Sequence, residues 1–277
     1  MAQIEVVRVP EWSQFPWLRH GFSTRQGGRS AVYGGRTLNL GWTTEDDPSC
    51  VRENRADFVD TVSDASSLRL VTVRQVHSNA VVRIDAVAAR DKLETIEGKA
   101  LLEGDGLVTD IPGLLIAAGT ADCVPVLVVD PRRRVVAAFH AGWRGTAARI
   151  VEKGIALLRS DFGSASEDIR AAIGPSIGAC CYNVGDEVRQ NFLENFSYGQ
   201  ELFTERSDAG GDSPKLYVDL WKANKRQLLA AGVDDGHITV LGECTACAFL
   251  PDGERKYFSH RAEAGKAGRM LNVIGLV

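Results

Sequence analysis

Residues 119–145 read GTADCVPVLVVDPRRRVVAAFHAGWRG, and the fold follows from how that stretch is punctuated. Two apolar runs, 124–129 and 135–139, flank a polar break at 130–134 that contains Pro131. Runs of this length bounded by turn residues read as buried strands, and so short a break makes them hairpin neighbours. Pairing them brings Cys123, just before the first strand, to the same sheet edge as His140, which ends the second. On its own Cys123 reads as a packed small hydrophobe, the commonest state of a free cysteine. His140 at the same edge adds a reactive or metal-binding reading.

Downstream of the hairpin, apolar spacing at Ala147, Ile150, Val151, Ile155 and Leu158 predicts a helix over 146–158. Gly142 and Gly145 flank the step from strand to helix, and Arg144 between them is either an anion clamp or a surface arginine. Upstream, 107–109 and 114–118 read as strands turned by Pro112–Gly113 and bracketed by Asp105 and Asp122. Asp122 is expected to hold a backbone turn or an arginine. A strand at 68–73 delivers RQVHS, with His77 just past its end, and another strand follows at 81–84. Residues 85–104 suit a short helix or a surface excursion, and 48–64 suit a helix with Cys50 packed at its start.

The first 44 residues are punctuated by glycine but form no dinucleotide fingerprint. Arg25 and Asn39 stand out there as a loop arginine and a turn or site residue. Beyond the centre come a strand at 168–173, the rigid loop GPSIGACCYNVG and a helix at 185–196. A hydrophilic loop at 204–215, a helix in WKANKRQLLAAGV, and strands at 238–241 and 270–277 complete the chain. Cys180 and Cys181 are adjacent, so their side chains are expected to diverge and at least one to pack. Cys244 and Cys247 form a CxxC that reads as packed thiols, a redox pair or half of a structural zinc site, for which Cys180 and Cys181 are the candidate remaining ligands at an unusual spacing.

Composition sets the outer limits. The chain has 277 residues, 44% of them hydrophobic, and a net charge of -4, which suits one large soluble domain or two small ones. The mild acidity argues against a nucleic-acid footprint. No apolar stretch approaches the roughly 20 residues of a membrane span. The N-terminal segment lacks the basic start and apolar run of a signal peptide. The six cysteines then read as thiols or ligands rather than a disulfide framework, and the expected compartment is cytoplasmic.

His77, Cys123 and His140 each sit at the end of a predicted strand. Two imidazoles and a thiolate suit a three-ligand zinc site with an open position, or a thiol nucleophile with a histidine base. Their spacing matches no short-range metal pattern, so folding must assemble them.

RQVHS, DGLVTD, TADCVPVL, FHAGWRG, GPSIGACCYNVG and the closing FSHR…GR resemble the laccase-domain family, also called multicopper polyphenol oxidase-like or purine nucleoside phosphorylase-like. The likeness runs from GFSTRQGG to Arg269. It implies a single α+β domain spanning 1–277, with mixed β-sheets packed together and flanked by helices. It puts the metal ligands on His77, Cys123 and His140, with zinc expected and copper the alternative. It also marks Asn39, Arg55, Gln75, Asp122 and Arg144 as polar site residues, with Arg25, Arg144 and Arg261 as candidates for phosphate. Where the family shows two arginines after its F-S-x, Ala262 follows Arg261 here.

The activity so implied is zinc-dependent phosphorolysis of adenosine, inosine, guanosine and S-methyl-5′-thioadenosine, with adenosine deamination. The partners are then a purine nucleoside and phosphate, with no nucleic acid or membrane, on a monomer or small homo-oligomer. Two alternatives are copper-dependent polyphenol oxidation and a metal-independent cysteine hydrolase that edits peptidoglycan precursors. Oxidation ranks lower, because one three-ligand site offers no route for four-electron reduction of oxygen.

Overall fold

Every residue of the strand Val124–Asp130 is buried, and so is every residue of its partner Val135–Ala141. The reason is that their sheet is covered on both faces. A computed structural model describes residues 3–64, 66–207 and 214–277. In it the two strands pair antiparallel, with Val124 opposite Ala141 and Pro125 opposite His140. Along the first strand Val126 and Val128 join one core cluster while Leu127 and Val129 join another. Successive side chains point to opposite faces, so both alternating sets are apolar and the sequence shows an unbroken run.

This hairpin is the middle of a six-stranded sheet. Its order is Ile238–Val240, Arg170–Ile173, Val124–Asp130, Val135–Ala141, Gly106–Thr109 and Val81–Arg83. A five-stranded sheet runs Val6–Val7, Leu18–Ser23, Met270–Leu276, Leu114–Thr120 and Arg69–Val71. Both mix parallel and antiparallel pairs. Phe22, Ile116 and Ile274 of the second sheet share a core with Leu127, Val136 and Ala172 of the first, so the sheets pack face to face. The helices Ile150–Phe162 and Leu220–Ala230 cover the outer face of the six-stranded sheet. The helix Pro48–Ser63 covers the outer face of the other through Phe58 and Val62. A small third sheet joins Asn183–Val184, Lys215–Val218 and Phe203–Arg206. The α+β architecture of packed mixed sheets with flanking helices is the one expected.

Local detail differs from the sequence expectation in two places and adds to it in one. The glycine-rich N-terminal stretch holds the strands Leu18–Ser23 and Gln26–Ser30. The helix expected over 146–158 is two helices, Trp143–Ala147 and Ile150–Phe162, broken where Arg149 takes a φ of 63°. The hydrophilic loop expected at 204–215 is in part the strands Phe203–Arg206 and Lys215–Val218, while 208–213 lie outside the described residues. Among the described residues no helix is long and apolar enough to cross a membrane.

The chain crosses from the five-stranded to the six-stranded sheet twice. One crossing is 72–80, between Arg69–Val71 and Val81–Arg83, and the other is 121–123, between Leu114–Thr120 and Val124–Asp130. His77 lies in the first crossing and Cys123 in the second. His140 lies in the strand paired to the second crossing's exit. The candidate ligands therefore meet at the seam between the sheets.

Candidate metal centre and its cleft

The nitrogen and sulfur donors of His77, Cys123 and His140 lie within 4.8 Å of one another. The two imidazole rings meet edge to face, with centroids 4.9 Å apart. Two imidazoles and a thiol converging at this range are chemically fit to hold a soft metal ion.

Asp105 sets the geometry. Its carboxylate accepts hydrogen bonds from the backbone N–H groups of Val76 (3.3 Å), His77 (3.0 Å) and Ser78 (2.6 Å), and from the Ser78 hydroxyl (2.7 Å). It also faces His140 Nδ1 at 2.9 Å. Burial opposes its charge, but the bonds from His140 and Ser78 outweigh burial and hold its pKa down to about 2. A carboxylate that accepts the Nδ1–H bond keeps the proton on that nitrogen and leaves Nε2 free as a donor to a metal. Burial alone would push the Cys123 thiol up. The charge of His140 and hydrogen bonds from His140 and His77 win instead, bringing Cys123 to about 6. Burial would likewise lower His140, yet the neighbouring Cys123 and Asp105 raise it to about 9. Each charge favours the other, so the metal-free pair is shifted toward thiolate and imidazolium.

Both crossings carry a residue in the left-handed region, His77 at φ 60° and Asp122 at φ 88°. Such conformations cost energy in a non-glycine residue and persist where surrounding bonds over-determine them. For His77 those bonds are the Asp105 contacts. For Asp122 they are Thr245 Oγ1 and Ser259 Oγ on Oδ1, each at 2.7 Å, and the Arg261 N–H on Oδ2 at 2.6 Å. Gly142 completes the fit, because a Cβ there would sit 3.0 Å from Cys123 Sγ and 3.4 Å from His77 Cδ2.

The centre opens into a cleft of about 740 Å³ whose lining includes His77, Cys123 and His140 together with Gln75, Asp122, Arg144 and Arg261. Gln75 makes a reciprocal pair with Gly119, donating to its carbonyl at 2.8 Å and accepting from its N–H at 2.7 Å. Its amide therefore ties the His77 crossing to the strand that leads into Cys123. Arg144 is exposed and lies over the Trp143 ring. Arg261 donates to the Asn183 carbonyl and side chain.

Two of the residues singled out in the sequence are turned elsewhere. Arg25 bonds Glu263 at 3.0 Å and the Tyr33 carbonyl, and lies over Phe258. Asn39 is fully buried, donating to Asp46 and accepting from the N–H groups of Gly41 and Arg269. The sequence reading assigned no role to Trp42, Lys99, Tyr182, His260 or Arg269, all of which line the cleft. Arg55 lines it too, over the Trp42 ring, with burial lowering its pKa to about 10.

The sequence matches, over residues 19–277, the family described as multi-copper polyphenol oxidoreductase laccase. The chain belongs to that family. It is 37% identical over 258 residues to a purine nucleoside phosphorylase of Deinococcus radiodurans, covering 93% of this chain and 88% of that one. It is 38% identical over 206 residues to an adenosine deaminase, RL5, from an unknown prokaryotic organism, covering 74% of each. A crystal structure of a hypothetical protein, YfiH, of Bacillus licheniformis superposes with a TM-score of 0.84 at 32% identity, covering 98% of this chain and 96% of that one.

For this laccase-family chain the zinc expectation is corrected. The family description names copper, and the described residues hold two soft donor sets: His77–Cys123–His140, and a cluster of four cysteines. Two imidazoles with a thiolate are also the donors of blue-copper sites, and the family description with the four-cysteine cluster points to a copper-type site rather than zinc.

Proposed function

We propose that the protein is a metal-dependent purine nucleoside phosphorylase that also deaminates adenosine. The observation that carries this reading is that the three metal donors share one cleft with guanidinium groups and aromatic faces. The names of its relatives, phosphorylase and deaminase, support the same reading.

Phosphorolysis forms a bond from a phosphate oxygen to ribose C1′ as the bond from C1′ to the purine nitrogen breaks. The site must hold phosphate in line and stabilise the charge left on the purine. Arg144 is assigned to phosphate, with Arg261 beside it, because a guanidinium offers paired donors to two phosphate oxygens. Trp42 and Tyr182 offer flat faces to the base. Gln75 and Asp122 act as positioning residues through Gly119 and Arg261, and Asn39 and Arg25 hold the wall behind the cleft. A metal on His77, Cys123 and His140 would supply Lewis-acid stabilisation of negative charge.

The test is release of hypoxanthine from inosine, run with and without phosphate and with and without a chelator. Phosphate-dependent release that chelation abolishes is the expected result, with Arg144→Ala raising KM for phosphate. No turnover of inosine or adenosine by metal-loaded protein would sink the reading.

The family description favours a second reading, copper-dependent oxidation of phenols. Two catechols and one dioxygen would give two quinones and two waters, a four-electron balance. The four-cysteine cluster offers a second donor set, which a lone three-ligand centre lacks. Oxygen uptake on a catechol by copper-loaded protein, without phosphate, separates this reading from the first.

A further inference from the structure

Outside the cleft centre, the sulfurs of Cys180, Cys181, Cys244 and Cys247 all lie within 4.8 Å of one another. All four are free thiols, with Cys180 and Cys247 exposed and Cys244 buried. Adjacent cysteines ordinarily diverge, but a turn brings this pair together. The N–H groups of Cys181 and Tyr182 both donate to the Gly178 carbonyl, at 2.9 and 3.0 Å. The opposing pair is brought to it by a second segment, where the N–H groups of Cys247 and Ala248 donate to the Cys244 carbonyl.

We propose that these four cysteines form a second metal site, for a soft thiophilic cation, that staples the 176–182 segment of the cleft wall to the 243–248 segment beside it. Metal–sulfur bonds of about 2.3 Å set the sulfurs of a tetrahedron about 3.8 Å apart. Cys180 and Cys247 Sγ are 3.6 Å apart, near that edge length and well beyond a bonded disulfide. Four sulfurs with no imidazole or carboxylate among them are donors that hard cations refuse. The exposed pair gives an entry path and the buried one an anchor. Gly178 N–H already donates to Cys244 Sγ at 3.2 Å, a bond that favours the thiolate form a metal needs.

The site has a consequence for the cleft. Ser176 N–H donates to the Glu243 carbonyl and Thr245 N–H to the Ser176 carbonyl, so the two segments run side by side. Each also bonds Asp122, through Ile177 N–H on its carbonyl and Thr245 Oγ1 on its carboxylate. Asp122 immediately precedes Cys123. An ion in the cluster therefore stiffens the backbone that carries the first centre's thiolate.

The experiment is anaerobic titration of the full chain with Cd(II) and with Cu(I), in a Cys123→Ala background that disables the first centre. The expected result is one tightly held ion per chain, with thiolate-to-cadmium charge-transfer absorption for four thiolates. Amide exchange across 176–182 should slow on loading. Cys180→Ser and Cys247→Ser, both exposed and shown folded by circular dichroism, should each weaken binding by more than the roughly 10–100-fold that loss of an outer-shell partner costs. Stoichiometry and affinity unchanged in these variants would overturn the proposal. So would a Cys180–Cys247 disulfide in the purified protein that, once reduced, binds neither ion.

Discussion

Asp105 and His140 bond twice. The His140 N–H donates to the Asp105 carbonyl at 2.7 Å, and the Asp105 carboxylate faces His140 Nδ1 at 2.9 Å. The first bond continues the ladder that sets Gly106 opposite Phe139, and the second fixes the imidazole. The same carboxylate gathers the N–H groups of 76–78, so one residue positions two of the three metal donors. Asp105→Asn keeps the shape but turns an amide N–H₂ toward at least one backbone N–H of 76–78, which can only donate. Loss of such an outer-shell partner typically costs about 10–100-fold in metal affinity or activity, and that is the expected fall. Metal affinity by competition with a chelator, beside turnover, checks it. An affinity within about twofold of the wild type would show that the donors hold themselves in place.

Gly142 has an ordinary φ of -62°, so space and not backbone freedom explains the glycine. An alanine Cβ would press on Cys123 Sγ and touch His77 Cδ2, so the sulfur must give way for it to fit. Catalytic geometry tolerates only small errors, and a misplacement of about 1 Å can cost about 10²-fold. Gly142→Ala is therefore expected to lower metal affinity and turnover while leaving the melting temperature of metal-free protein nearly unchanged. A large drop in that melting temperature with affinity intact would place the role of Gly142 in folding.

Some of this was legible in the sequence and some was not, for physical reasons. The central hairpin could be read because burial on both faces leaves unbroken apolar runs. The strand Leu18–Ser23 could not, because LRHGFS shows neither a run nor an alternation. Its Gly21 is there for packing, since a Cβ would meet Val6 Cγ1 at 2.3 Å, and Ser23 accepts from the Leu271 N–H across the sheet. His77, Cys123 and His140 could be picked out as metal-competent residues at strand ends. Asp105 could be picked out only as a bracket residue, because its partners lie 27–29 and 35 residues along the chain. The four-cysteine cluster could be read only as one option among three, for a related reason. Adjacency suggested diverging side chains, and only the turn at 178–182 reverses that.

Gly154 lies on the helix Ile150–Phe162, where it faces the strand that ends at the metal centre. A Cβ there would fall 2.1 Å from Cζ of Phe139 and under 3.0 Å from two more ring atoms. Alanine favours a helix over glycine by about 1 kcal/mol, whereas overpacking a core costs about 1–3 kcal/mol. Phe139 is fully buried and leaves the ring little room to yield, so packing should win. Gly154→Ala is expected to destabilise the protein by about 1 kcal/mol, read as a lower midpoint in urea. A raised midpoint would mean that the ring moves freely and that helix propensity decides.

His20 makes stability depend on pH away from the metal donors. Its Nε2 accepts the Val9 N–H at 2.9 Å, and its ring lies edge-on to Trp12. Burial, reinforced by the nearby Arg8 charge, lowers its pKa to about 4 from an ordinary 6.5. The folded state thus resists a proton that the unfolded chain accepts. Well above pH about 6.5 both states are neutral and the contribution is whole. As the pH falls from about 6.5 toward 4, the unfolded chain binds the proton first and stability drops by up to about 3 kcal/mol. Below about 4 both states are protonated and the loss levels off. Urea midpoints measured from pH 7.5 to 4.5 should therefore slope downward toward acid. His20→Gln, which keeps an acceptor for Val9 but cannot titrate, should be less stable at neutral pH and show a flatter slope. Equal slopes in the two proteins would assign the acid sensitivity to other groups.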